Sequence, residues 1–136
     1  MTARSFAHVL GLLVTTAAWR PSRGGARLHE IRMIGDATGY RFEPARLSIA
    51  RGDSVVFRVV SGQPHTVAFD TTAITAGVAH ALDARMSNRI GRLSGPLLLM
   101  AGDRYTISFD DLPSGRYPFF CLPHLGLRMT GEIVVQ

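Results

Sequence analysis

This sequence contains no lysine, since all fifteen of its basic residues are arginine. It has a single cysteine, Cys121, among 136 residues. A lone cysteine excludes an internal disulfide framework. It also excludes any site that needs two thiols, such as a C-x-x-C redox pair, a binuclear thiolate centre or an iron–sulfur cluster. No two arginines are adjacent, so the formal net charge of +5 is spread along the chain. Nothing resembles the aromatic-interleaved basic stripe of a nucleic-acid binder, and no nucleic-acid partner is expected. The surviving inference from charge is kinetic: a basic surface speeds encounter with an acidic partner. The apolar run Val9 to Trp19 is shorter than the roughly 20 helical residues needed to cross a bilayer, and no second run qualifies. Asp110-Asp111 reads as turn chemistry, and neither an acid–base pair nor a serine triad is evident.

What is present is ordinary globular composition, 46% hydrophobic and 18% charged, in a chain long enough for one domain with its own core. Arg4, the run Val9 to Trp19 and the small residues Thr16-Ala17-Ala18 together form a secretory signal pattern over residues 1–18. Residues 19–27, with Arg20-Pro21-Ser22-Arg23-Gly24-Gly25, read as a flexible leader. The expected domain is 28–136, exported to the periplasm or outside the cell, and a monomer.

From Leu28 the apolar period becomes two. Leu28 to Ile34 reads as a first strand. Tyr40-Arg41-Phe42 and Leu47-Ser48-Ile49 flank Glu43-Pro44, where proline interrupts the ladder. After the Gly52-Asp53 turn, Val55, Phe57 and Val59 alternate. His65 to Phe69 reads as a short strand with His65 at its mouth. Leu82, Met86 and Ile90 recur at helical spacing and predict one or two turns of helix on the sheet. A second Gly-Asp turn at Gly102-Asp103 precedes Tyr105, Ile107 and Phe109. Tyr117, Phe119 and Cys121 share one face of the next strand, and Gly131, Ile133 and Val135 alternate along the last. Seven to eight short strands with regularly spaced turns predict an all-β sandwich with one short helix.

Candidate chemistry is concentrated in Cys121-Leu122-Pro123-His124-Leu125-Gly126-Leu127-Arg128-Met129. A strand end, a loop and the next strand start bring Cys121, His124 and Met129 to one point. Pro64-His65 supplies a second imidazole 56 positions before Cys121. One thiolate, two imidazoles and a thioether form the soft mixed set that suits copper, with a weak axial Met. Leu122, Pro123, Leu125, Gly126 and Leu127 are expected to supply a dry shell. Taken singly, Cys121 fits a buried structural thiol, Met129 core filling, and the two histidines hydrogen-bonded rings. Their coincidence is what points to one copper ion per chain. His29 and His80 read as solvated or hydrogen-bonded histidines. Met33, Met86 and Met100 read as core, and Arg85, Arg89 and Arg92 as a solvated face.

The chain from Tyr40 to Gln136 resembles the cupredoxins, the small blue copper proteins, and among them the plastocyanin-like branch. The motifs that carry the resemblance are Gly52-Asp53-Ser54-Val55, Pro64-His65-Thr66-Val67, Gly115-Arg116-Tyr117, Cys121-Leu122-Pro123-His124 and Met129-Thr130-Gly131. The resemblance implies an eight-stranded Greek-key sandwich and copper ligands at His65, Cys121, His124 and Met129. It also implies that the edge of His124 reaches the surface inside an apolar patch that includes Pro123 and Leu125, where the electron leaves. Three departures stand out. Thr66 occupies a place where the family commonly has asparagine, which predicts a shifted potential. Asp70-Thr71-Thr72-Ala73-Ile74 lacks the acidic docking patch of plant plastocyanins. Phe120 replaces the tyrosine before the cysteine. Plant-type photosynthetic partners are therefore not carried over.

Three functions follow. One is a mononuclear carrier of single electrons between redox partner proteins, such as a cytochrome. Another is a copper delivery or storage protein, which would favour a looser, methionine-rich site. An enzyme of the multicopper oxidase or nitrite reductase kind would need further histidines beside the cysteine or a partner domain. Leu122 stands beside Cys121, so no enzyme is expected.

Overall fold

The computed structural model describes residues 24–136; the expected signal segment and the first part of the leader lie outside the described residues. Eight strands form two four-stranded sheets. They are β1 (Leu28–Asp36), β2 (Gly39–Glu43), β3 (Arg46–Ile49), β4 (Ser54–Val59), β5 (Ala68–Phe69), β6 (Arg104–Ser108), β7 (Gly115–Phe120) and β8 (Thr130–Val135). One sheet runs β2-β1-β4-β6 and the other β3-β8-β7-β5. From β2 to β7 the chain changes sheet at every step, the crossed connectivity of a Greek key. Each sheet holds one parallel pair, β1 with β4 and β3 with β8. The all-β sandwich with one short helix is as expected.

The alternating residues face inward as their period requires. Val55, Phe57 and Val59 are fully buried, as are Ile31, Met33, Ile107 and Ile133. Phe42 and Phe57 from one sheet meet Phe119 from the other, edge to face, with centroids 4.7 and 5.3 Å from the Phe119 ring. Buried aromatic rings of this kind each contribute a large apolar area to the contact between the sheets. The two Gly-Asp turns are built alike. Gly52 and Gly102 take positive φ (89° and 91°), which the absence of a Cβ permits. The following aspartates then accept upstream amides: Asp53 from Ala50, and Asp103 from Leu99 and Met100.

Four expectations need correction. The helix is α1 (Ala76–Asp83), capped by Thr75, and it ends before Met86. Leu82 and Met86 are buried, but Ile90 is 56% exposed. Asp83 accepts the Leu93 amide at 2.7 Å and pairs with Arg89, so the chain after it turns back instead of continuing the helical stripe. Arg85, Arg89 and Arg92 therefore lie beyond the helix. Met100 is exposed, because its amide serves the Asp103 turn and its side chain faces out. The strand expected over His65 to Phe69 is only Ala68–Phe69; His65 instead forms an isolated bridge with Leu98. Arg27, at the end of the expected leader, is bonded through its amide to Asp53 at 2.9 Å.

Candidate metal centre

Cys121 follows β7 on the inward register of Tyr117 and Phe119 and is completely buried. A short 3-10 helix, Leu122–Leu127, follows it with Pro123 in its first turn. His124 breaks the helical geometry (φ −118°, ψ 18°) and turns its ring inward, keeping 9% of its surface exposed. Arg128 closes the turn in the left-handed region, where φ is 61°. Met129, wholly buried, is laced to both neighbours. Its carbonyl accepts the Cys121 amide at 3.0 Å, and its own amide donates to the His124 carbonyl at 3.3 Å. His65 arrives from the far segment, held by paired backbone bonds with Leu98 at 3.0 and 2.8 Å.

The donor atoms converge. Cys121 Sγ lies 3.6 Å from His65 Nδ1 and 3.5 Å from His124 Nδ1. The three ligand atoms all lie within 4.8 Å of one another. His65 Nε2 is 2.8 Å from the Ser61 carbonyl. A carbonyl only accepts, so Nε2 carries the ring proton and Nδ1 presents a free lone pair to the site. Burial pushes the Cys121 thiol up, against the opposing Thr66 and His124 contacts. Burial pushes both imidazoles down, His65 against its bond to Ser61 and His124 with a further push from His65. The protein alone therefore leaves a neutral thiol between neutral imidazoles. A soft cation that can displace the thiol proton fits this donor set, because binding supplies the charge that the buried thiolate otherwise lacks.

Thr66 joins the two ligand segments twice. Its amide points to Cys121 Sγ at 3.4 Å, and its hydroxyl accepts the Leu122 amide at 3.0 Å. The dry shell expected from the leucines is otherwise placed. Leu122, Leu125 and Leu127 are 50, 46 and 59% exposed. Leu122 and Leu125, at i and i+3 of the 3-10 turn, share a face, and that face is turned to solvent. The sulfur meets His65 and Thr66, and the Cys121 backbone pairs with Met129; none of the three reaches the surface. Leu97 and Leu99 flank Leu98, which bridges His65, and they too are exposed. Exposed leucines thus lie on the turn that carries His124 and beside the residue bridged to His65.

One neighbour was missed by the sequence reading. Tyr40, on β2, stacks on His124 with ring centroids 3.8 Å apart and planes 22° apart. In the sequence it is one more strand aromatic, and no spacing links it to a loop more than eighty positions away.

A profile of copper-binding proteins of the plastocyanin/azurin family matches residues 29–136. The chloroplastic plastocyanin of Tetradesmus obliquus is 35% identical over 111 residues, 82% of this chain and 69% of that protein. Plastocyanin of Lactuca sativa is 37% identical over 107 residues, 79% of this chain and 99% of that one. Among solved structures, a mutant plastocyanin of fern superposes with a TM-score of 0.58 at 26% identity, covering 79% of this chain and 99% of its own. A purple cupredoxin from Nitrosopumilus maritimus, at 22% identity and a TM-score of 0.55, shares the fold. These matches span the whole sandwich and both segments that converge on Cys121, and the chain therefore belongs to the plastocyanin/azurin family of copper-binding proteins, as a plastocyanin-like cupredoxin.

Proposed function

We propose that this protein carries single electrons between redox partner proteins, with His65, Cys121, His124 and Met129 as the ligands of one copper ion. The observation that carries this reading is the buried thiol with an imidazole Nδ1 on either side, at 3.5 and 3.6 Å. Copper, when bound, supplies a one-electron Cu(I)/Cu(II) couple. The chain's own contribution is rigidity. His65 is fixed by Ser61 and Leu98, Cys121 by Thr66 and Met129, and all are set between two packed sheets. A frame that cannot rearrange would hold one geometry for both charge states, and Met129 and the buried surroundings of the sulfur would tune the potential. The four donors leave no position for a substrate, which favours a carrier over an enzyme.

The exposed leucines around His124 give a partner an apolar surface on which to seat, and the +5 charge favours an acidic one. Arg4, Val9 to Trp19 and Thr16-Ala17-Ala18 support export to the periplasm or beyond. Among the described residues no helix is long and apolar enough to cross a membrane.

The test is the visible spectrum of the purified chain after addition of Cu(II) and then ascorbate. An intense thiolate-to-copper band is expected, bleaching on reduction, returning on oxidation and missing in Cys121→Ser. A colourless chain that takes up only Cu(I) would point to copper delivery or storage instead.

A further inference from the structure

The two imidazoles are held by different means. His65 is oriented by the Ser61 carbonyl. Among the described residues the His124 ring has no hydrogen-bond partner besides Cys121 Sγ. Its face is instead covered by Tyr40 at 3.8 Å, and the same phenol meets His65 edge-on at 6.4 Å.

The backbone is shaped to admit that ring. The β1–β2 register sets Tyr40 opposite Gly35. A Cβ on Gly35 would stand 2.5 Å from Tyr40 Cε1 and 2.8 Å from Gly62 Cα. A Cβ on Gly62 would stand 2.4 Å from Gly35 Cα. The paired glycines let two backbones approach and let the phenol lie across β1 toward the ligand loop. Gly62 follows Ser61, so the cleft that admits Tyr40 also carries the carbonyl that orients His65. A near-parallel aromatic stack resists rotation of the imidazole, since turning the ring gives up its overlap.

We propose that Tyr40 is a positioning residue for His124, holding its imidazole in the orientation that presents Nδ1 to the metal, as Ser61 does for His65. The inference rests on the reading of this site as a copper centre. It assigns the work to the ring face, so Tyr40→Phe preserves it and Tyr40→Ala removes it.

Three readouts separate this from simple packing. In the metal-free chain, the His124 ring protons should show the upfield shift of a stacked aromatic, kept in Tyr40→Phe and lost in Tyr40→Ala. In the copper-loaded chain, release to an excess of competing chelator should quicken about 3- to 10-fold in Tyr40→Ala, the range expected for one aromatic pair. Tyr40→Phe should stay within about twofold of the parent, as the ring pair is retained. The electron paramagnetic resonance signal of Cu(II) should change in Tyr40→Ala alone. If Tyr40→Ala lowers the melting temperature but leaves release and spectrum as in the parent, Tyr40 merely fills space and the proposal is overturned. A parent chain that binds copper yet shows no ring-current shift also overturns it, while the copper reading stands. A parent chain that takes up no copper overturns both.

Discussion

Thr66 occupies the narrowest link between the two ligand segments. Its amide and hydroxyl face Cys121 Sγ and the Leu122 amide, and it is itself fully buried. Thr66→Val keeps the volume but leaves the Leu122 amide without its acceptor. Stranding a half-buried donor costs about 1–3 kcal/mol, so denaturant titration of the metal-free chain should show a loss of that order. The amide contact to sulfur survives this change. A midpoint potential that nonetheless moves would show that the hydroxyl tie sets the position of the thiolate. An unmoved midpoint would confine Thr66 to stability. At this scale the meeting of Cys121 and His124 was legible, because short spacing alone brings them together, and the same spacing sets Met129 beside them in the chain. His65 was legible by its residue type and its place before a strand. Tyr40 was not, because its meeting with His124 depends on strand order and on Gly35, neither of which leaves a local pattern.

Among the elements, the Gly52-Asp53 turn binds the most. Asp53 is nearly buried and accepts the Arg27 amide, the His29 ring nitrogen and the Ala50 amide, at 2.9, 2.7 and 3.0 Å. Its own carbonyl accepts the Phe109 amide at 2.9 Å. The start of β1, the end of β3, the start of β4 and the end of β6 thus meet at one residue. The Arg27 amide, followed by the His29 contact, holds the Asp53 carboxyl below its ordinary range. A depressed carboxylate adds stability that is complete above the ordinary Asp value of about 3.9 and fades as pH falls through the lower folded value. Acid unfolding should therefore show a loss of stability below about pH 4 that Asp53→Asn flattens, at the cost of lower stability near neutrality. Equal acid sensitivity in both proteins would move the effect elsewhere. The strands were legible wherever one face is buried, as Val55, Phe57 and Val59 illustrate. The helix was misplaced because Leu82 and Met86 are both buried, one on α1 and one past its end. Apolar spacing cannot tell a helix from a helix followed by a turn that Asp83 closes.

At the scale of the molecule, the proposed function depends on one end of the sandwich. In the proposed carrier function, the exposed leucines there seat a partner. Leu125→Glu should leave the visible spectrum in place, because that side chain faces solvent, and should slow electron exchange with a partner about 5- to 30-fold, the worth of one or two kcal/mol at a central apolar contact. For an acidic partner the association rate should also fall with added salt. A rate indifferent to Leu125→Glu would place docking on another face. The division of the ligands has a further consequence, one that concerns the unfolded chain. Cys121, His124 and Met129 lie close enough in sequence to gather around an ion before any sheet exists. His65 comes from 56 positions upstream and joins only when Leu98 and Ser61 are in place. A ligand held by both the unfolded and the native chain stabilises the fold only by the difference between its two affinities. The rise in melting temperature on loading copper would then measure what one distant histidine and the surrounding enclosure add, and would understate the strength of the finished site.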